Sequence, residues 1–240
     1  MKKINKSSEL LWLFGIVFVA LGVSICSKAD LGVSMIAAPA FVLSEALFPF
    51  SAFFSVGVTE YLIQGIILLI LCIVIRSFNW KYLLAFAVAV IYGYTLNFFI
   101  WVLSGVEFNI VAVRWIMLIV GDVITAFGVA CFFKTYMPLQ VYELFVAELT
   151  DRFSLNINKT KSIFDISLLV ISITMALVLF GDIISFDWTS VTYASFHSIG
   201  LGTLVTTAIN SPLIALMSKL INKLFEPTPT FPKLEIILKR

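Results

Sequence analysis

VAVRWIMLIVGDVITAFGVACFFKTYMP, residues 111–138, holds a full membrane crossing and the break that ends it. Residues 111–133 are almost wholly apolar and charged only at Arg114 and Asp122. As a helix rising 1.5 Å per residue they are long enough for a hydrocarbon core of roughly 30 Å. Lys134-Thr135-Tyr136-Met137-Pro138 then interrupts the helix, and the apolar piece beyond it, 139–149, reaches only about 16 Å. Asp122, near the middle of the long run, costs roughly 2.5–3.5 kcal/mol to insert as a carboxylate. Residues placed at that cost face a cavity or a polar partner, so Asp122 is the first functional candidate, and protonation would remove its charge.

The rest of the chain has the same character. Its 240 residues are 61% hydrophobic and 12% charged, with mean hydropathy +1.07. That leaves too little polar material to cover a water-soluble globule, so the lipid bilayer is the expected partner. A formal charge of +2 with no Lys/Arg block gives no grip on nucleic acid. Cys26, Cys72 and Cys131 lie apart inside apolar runs, without the spacing of a metal site or redox pair. His197 stands alone, so no metal or other cofactor is expected. Lys2, Lys3 and Lys6 precede the first apolar run without a small-residue cleavage site, which reads as an uncleaved first span.

Six stretches are long enough to cross: 10–27, 56–75, 82–103, 111–133, 162–181 and 203–221. Two others, 33–47 and 139–149, fall short and read as re-entrant or interfacial helices. The order long, short, long, long occurs twice. Gly15, Gly22 and Lys28 recur 106 positions later as Gly121, Gly128 and Lys134, and Glu60 recurs 105 positions later as Asp165. The expected fold is an all-α polytopic membrane protein in one domain, 1–240. Repeat one is 9–105, repeat two is 110–225, and 226–240 is a polar cytoplasmic tail.

Charge supports six crossings over eight. With six, three per repeat, the repeats are inverted, and of the 16 Lys and Arg only Lys28 and Arg114 leave the side that holds the termini. With eight, Lys28, Arg76, Lys81 and Lys134 would all be outside. The expected setting is a bacterial cell membrane with both termini cytoplasmic. Glu107, Asp182 and Asp187 fall outside, and 183–202, which holds His197, reads as an extracellular loop. Trp12 and Trp80 mark the inner interface, and Trp101, Trp115 and Trp188 the outer one.

The pathway candidates are Asp122, Lys28, Asp30, Lys134, Glu143, Glu60, Asp165 and Asn210. Lys28-Ala29-Asp30-Leu31-Gly32 and the stretch before Pro138 are the two breaks where unwound backbone and helix N-termini are expected to meet a ligand. Glu60 and Asp165 read more readily as solvated or helix-N-terminal charges, and Glu143 and Glu148 as partners of Arg152 or Lys134. Asn210 and Pro212 put polar groups in the last span, and Gly200-Leu201-Gly202-Thr203 reads as a flexible lead into it, with Thr203 as cap.

Residues 15–22 followed by Lys28-Ala29-Asp30-Leu31-Gly32-Val33-Ser34, with Ala89-Val90-Ile91-Tyr92-Gly93 and Gly200-Leu201-Gly202-Thr203 before Pro212, resemble the YitT/YczE-like bacterial integral membrane proteins. In the second half Tyr136-Met137-Pro138 stands where that family has an acidic-Leu-Gly turn. The resemblance implies a polytopic plasma-membrane protein of permease type, without a substrate. The functional expectation is a small secondary transporter or exporter of a small molecule or ion, coupled to protons. The alternative is a non-transporting binding or accessory subunit. A membrane enzyme is disfavoured because no catalytic set converges.

Overall fold

The computed structural model describes residues 4–180 and 195–238. Expectations for Asp182, Asp187, Trp188 and the terminal Lys2, Lys3, Lys239 and Arg240 fall outside those residues. Six helices have the length and apolarity of membrane spans: α1 (Ser8–Lys28), α3 (Val56–Ile75), α4 (Lys81–Val102), α5 (Val111–Lys134), α7 (Ile157–Phe180) and α8 (Leu201–Leu224). Between them lie the shorter α2 (Ala38–Leu47) and α6 (Val141–Phe153). Large apolar side chains stand exposed on the outer faces, including Ile66, Leu69 and Ile73 on α3 and Ile163, Val170 and Val178 on α7. A belt of that extent needs lipid around it. The chain is therefore an all-α polytopic membrane protein.

Helices α1 and α5 form the most extensive seam in the bundle. A Cβ on Gly22 would stand 2.5 Å from the Gly121 carbonyl oxygen, and one on Gly128 would stand 2.8 Å from that of Gly15. Backbone meets backbone, which only glycine permits. The register is antiparallel, with Gly15 against Gly128 and Gly22 against Gly121. Since Gly121 and Gly128 are the repeat counterparts of Gly15 and Gly22, each glycine faces the counterpart of the other. That reciprocity belongs to a twofold axis crossing the seam midway between the two pairs. Several other pairs follow it: α2 lies on α7 as α6 lies on α3, and α1 on α4 as α5 on α8; α4 also lies on α6, a contact that α8 and α2 do not match.

The short helices lie inside the bundle, which removes the interfacial alternative. Residues Ala38, Pro39, Ala40, Phe41 and Val42 of α2 and Val141, Tyr142, Glu143 and Leu144 of α6 are buried. Glu45 and Phe48 at the end of α2 are exposed, as are Asp151 and Arg152 at the end of α6. Each helix thus begins in the interior and ends at a surface. The α6 N-terminus points inward, whereas the first-turn amides of α2 are taken by the Ser34 and Ala37 carbonyls.

The broken backbone is held by groups from other parts of the chain. Asp30 and Gly32 take positive φ, 52° and 104°. The Gly202 amide donates to the Leu31 carbonyl (2.8 Å) and the Val33 amide to Ser198 (2.9 Å). Gly200-Leu201-Gly202-Thr203 is therefore a clamp on the first break, with Gly200 as the cap of α8. At the second break the Trp12 indole N–H donates to the Pro138 carbonyl (2.9 Å). Trp12 is 9% exposed and so does not stand in a lipid interface, unlike Trp80 and Trp101, which are exposed.

The tail does not extend freely. Strand β2 (Phe225–Thr228) pairs in parallel with β1 (Ile4–Ser7), and α9 (Pro232–Leu238) folds back with Leu238 buried. The Glu9 carboxylate accepts from the Ser7 hydroxyl (2.6 Å), the Thr230 and Phe231 amides (3.0 and 3.1 Å) and the Tyr136 hydroxyl. Burial and the adjacent Glu9 push the Tyr136 phenol up to about 12, so it remains a donor at neutral pH.

Candidate functional site

A small cavity of about 20 Å3 lies at the centre of the bundle. Its walls come in counterparts. Val19 and Thr125, Val23 and Val129, Ser34 and Gln140, Ile36 and Tyr142, and Ala37 and Glu143 all line it, each pair 106 residues apart. Glu60 of α3, Tyr92 of α4 and Asn210 of α8 complete the wall. The cavity therefore sits on the same axis as the glycine seam. The α6 N-terminus and the residues leading into α2 meet there.

Its polar groups are buried deeply. Glu60, Gln140, Glu143 and Asn210 are each 5% exposed or less, and Gln64, one turn beyond Glu60, is fully enclosed. Gln64 Nε2 donates to Glu60 Oε1 (3.3 Å). Glu60 Oε2, Gln64 Oε1, Glu143 Oε2 and Asn210 Oδ1 have no hydrogen-bond partner. The Tyr142 hydroxyl stands beside Glu60 without reaching hydrogen-bond geometry, and Tyr92 stands within electrostatic reach of both glutamates. On α7, Lys161 Nζ lies 3.5 Å from both Asp165 oxygens, and both residues act electrostatically on Glu143.

This corrects two expectations. Glu60 and Asp165 are each 1% exposed and so are not solvated charges, because the half-helices cover the turns that carry them. Glu143 faces Lys161 and Asp165, not Arg152 or Lys134, because its side of α6 packs on α7.

The structure brings Glu60, Glu143 and Asn210 together, with Asp165 behind Glu143. Asp122 lies apart, next to Gly121 on the α1–α5 seam with Cys26 nearby; it is 1% exposed and neither oxygen has a hydrogen-bond partner. Lys28 and Lys134 sit at opposite ends of the antiparallel pair, and Lys28 Nζ donates to the Ser104 carbonyl (3.2 Å). Asp30 is at the surface, accepting from Arg114 (3.4 Å) and the Ser195 hydroxyl (2.8 Å). His197 pairs with Glu45 (2.6 Å) and stacks on Phe180. Among the described residues no three His, Cys, Asp or Glu gather to hold a metal ion.

Sequence reading missed Gln64, Tyr92, Gln140 and Tyr142. Gln64 had a usable signal, four residues after Glu60 on the same helix face. Gln140 and Tyr142 had one in the repeat itself, since the offset places them opposite Ser34 and Ile36.

Two larger cavities flank the centre. One of about 460 Å3, at the end where α1 finishes, is lined by Ser27, Phe41, Ser44, Glu45 and Asn97. The other, of about 280 Å3, is at the opposite end beneath α6 and is lined by Lys81, Phe132, Tyr136, Pro138 and Leu238. The α2 helix runs from the centre toward the first, and the turn before α6 separates the centre from the second.

The sequence model of a family of unknown function, DUF6198, matches residues 6–219 and so takes in both repeats and the whole site. The chain belongs to DUF6198. No curated protein and no solved structure matches it. Within DUF6198, then, the chemistry has to be read from the site of this chain.

Proposed function

We propose that this DUF6198 chain is a small secondary transporter or exporter of a small molecule or ion. It lies in a bacterial cell membrane with both termini cytoplasmic and is related to the YitT/YczE-like proteins. The observation that carries the reading is the central cavity, where counterpart residues of two oppositely directed repeats meet between an outer and an inner vestibule. Inverted repeats can exchange conformations, which opens a site on their axis first to one side and then to the other. A state in which the site is closed to both vestibules would be the occluded step of that exchange. A carboxyl whose protonation removes a buried charge can bias the two open states and so couple transport to protons.

The test is two-sided access. In a chain whose Cys26, Cys72 and Cys131 are replaced, Ser34→Cys and Gln140→Cys are expected to react with a membrane-impermeant thiol reagent in both right-side-out and inside-out vesicles. Reaction from one side only, whatever gradient is imposed, would make the chain a binding or accessory subunit. Asp122→Asn is the parallel test for the residue on the seam: undiminished proton-coupled flux would remove Asp122 from the mechanism.

A further inference from the structure

The unpartnered atoms around the central cavity are nearly all acceptors. Glu60 Oε2, Glu143 Oε2 and Asn210 Oδ1 lack partners, and Gln64 Oε1 lies behind them. Of the groups on the wall that can donate, Thr125 spends its hydroxyl hydrogen on the Gly121 carbonyl (2.9 Å), and the Tyr142 hydroxyl stands unpartnered beside Glu60. Unmatched oxygen in a site so deeply buried calls for a positive partner.

Charge points the same way. The groups facing Glu60 and Glu143 are Tyr92 from α4, Tyr142 on α6, and Asp165 and Lys161 from α7. Cys26, which bears on Tyr92, and Asp122, which bears on Cys26, lie further off on the seam. Lys161 is thus shared between Asp165, which it pairs with, and Glu143, and among the described residues no cation acts on Glu60. Two helix N-termini at one cavity would suit an anion, but the first turn of α6 already carries Glu143, and the unpartnered oxygens repel an anion.

Size narrows the choice. A space of about 20 Å3 admits a single body of the size of water. Among the described residues no three acidic, histidine or cysteine ligands cluster, so the donor set at the cavity is neutral oxygen plus one or two carboxylates. That set suits a monovalent cation with oxygen ligands better than a transition metal.

We infer that this cavity is a binding site for one small monovalent cation, a proton or a sodium ion, held by Glu60, Glu143 and Asn210. As the coupling-ion site the inference rests on the transport reading; as a binding site it stands apart from it. The bulkier substrate of a transporter would then use the vestibules.

The experiment measures thermal unfolding of the detergent-purified full chain in sodium chloride against N-methylglucamine chloride at matched ionic strength, over a range of pH. If sodium is the ion, the wild-type midpoint rises saturably with sodium, and E60Q and E143Q need about tenfold more sodium for the same rise. If the proton is the ion, sodium has no effect, the wild-type midpoint falls as pH rises, and both variants flatten that dependence. A glutamine imitates the protonated acid, so the variants are expected to fold. Where one does not, N210A is expected to weaken the response instead. D151N, at the exposed end of α6, is expected to respond as wild type. A wild-type chain indifferent to both ions, or an unaltered response in the cavity variants, overturns the inference. An ion response without two-sided thiol access would leave the site standing and remove transport; two-sided access without an ion response would do the reverse.

Discussion

At the central cavity repeat one presents Ser34, Ile36 and Ala37, and repeat two presents Gln140, Tyr142 and Glu143 at the counterpart positions. At the α1–α5 seam the repeats present the same residue, glycine, at both pairs of positions. The difference separates two demands. The seam needs close backbone approach from both sides, so symmetry of shape entails symmetry of sequence. At these counterpart positions the acid comes from one side alone, since two facing carboxylates would repel at short range; repeat two supplies Gln140, Tyr142 and Glu143, and repeat one supplies smaller side chains. From α3 of repeat one Glu60 adds the second acid to the wall, whereas its counterpart Asp165 is paired with Lys161 and lies off the wall.

The comparison can be broken at its strongest point by moving the acid. Ala37→Glu adds a carboxylate opposite Glu143 in the same enclosed space and is expected to cost about 3–5 kcal/mol, read as lost yield of monodisperse protein and a lowered melting midpoint. Ala37→Glu combined with Glu143→Ala transfers the acid across the axis and is expected to recover at least half of that loss. No recovery would mean that the halves are counterparts in sequence alone.

The seam gives the next largest effect. Gly22→Leu forces a side chain into the Gly121 carbonyl and is expected to cost about 3 kcal/mol in thermal unfolding, with the mirror variant Gly128→Leu costing a similar amount. Unequal losses would show that the two glycine contacts are not related by the axis.

The two breaks differ more sharply. Gly32 has φ of 104°, and its Cβ would lie 2.3 Å from Thr203 Oγ1, so Gly32→Ala is expected to destabilise by about 2 kcal/mol. Pro138→Ala is expected to cost less than about 1 kcal/mol, since Trp12 binds the carbonyl that an alanine retains. Equal costs would show that the second break depends on its proline. The smallest effect is expected where the tail latches onto Glu9. Tyr136→Phe removes one of several donors to Glu9, about 1 kcal/mol or less, and should show as faster protease cleavage within 226–240.

How far the sequence could be read follows from the range of each interaction. Long apolar runs report their own surroundings, so the boundaries of all six spans were legible to within a few residues. The repeat was legible from Gly15, Gly22, Lys28 and their counterparts. Asp122 stood out because a charge inside an apolar run is conspicuous on its own. Glu60 and Asp165 lay near the ends of their runs, where a carboxylate is ordinarily wet. Nothing local indicates that α6 and α2 cover them. Trp12 likewise read as an interface residue because its partner, Pro138, is remote in the chain.

From the residues alone come the membrane environment, the number of crossings and the two breaks, because hydrophobicity, length and loss of backbone hydrogen bonding are properties of a segment and its solvent. The tertiary structure decided that the breaks meet on an axis, that Glu60, Glu143 and Asn210 face one small cavity while Asp122 stands aside, and that the tail docks against the start of α1. Those facts depend on which helix faces lie against each other. The glycine contacts between α1 and α5 select that pairing through shape, between helices that lie far apart in the chain.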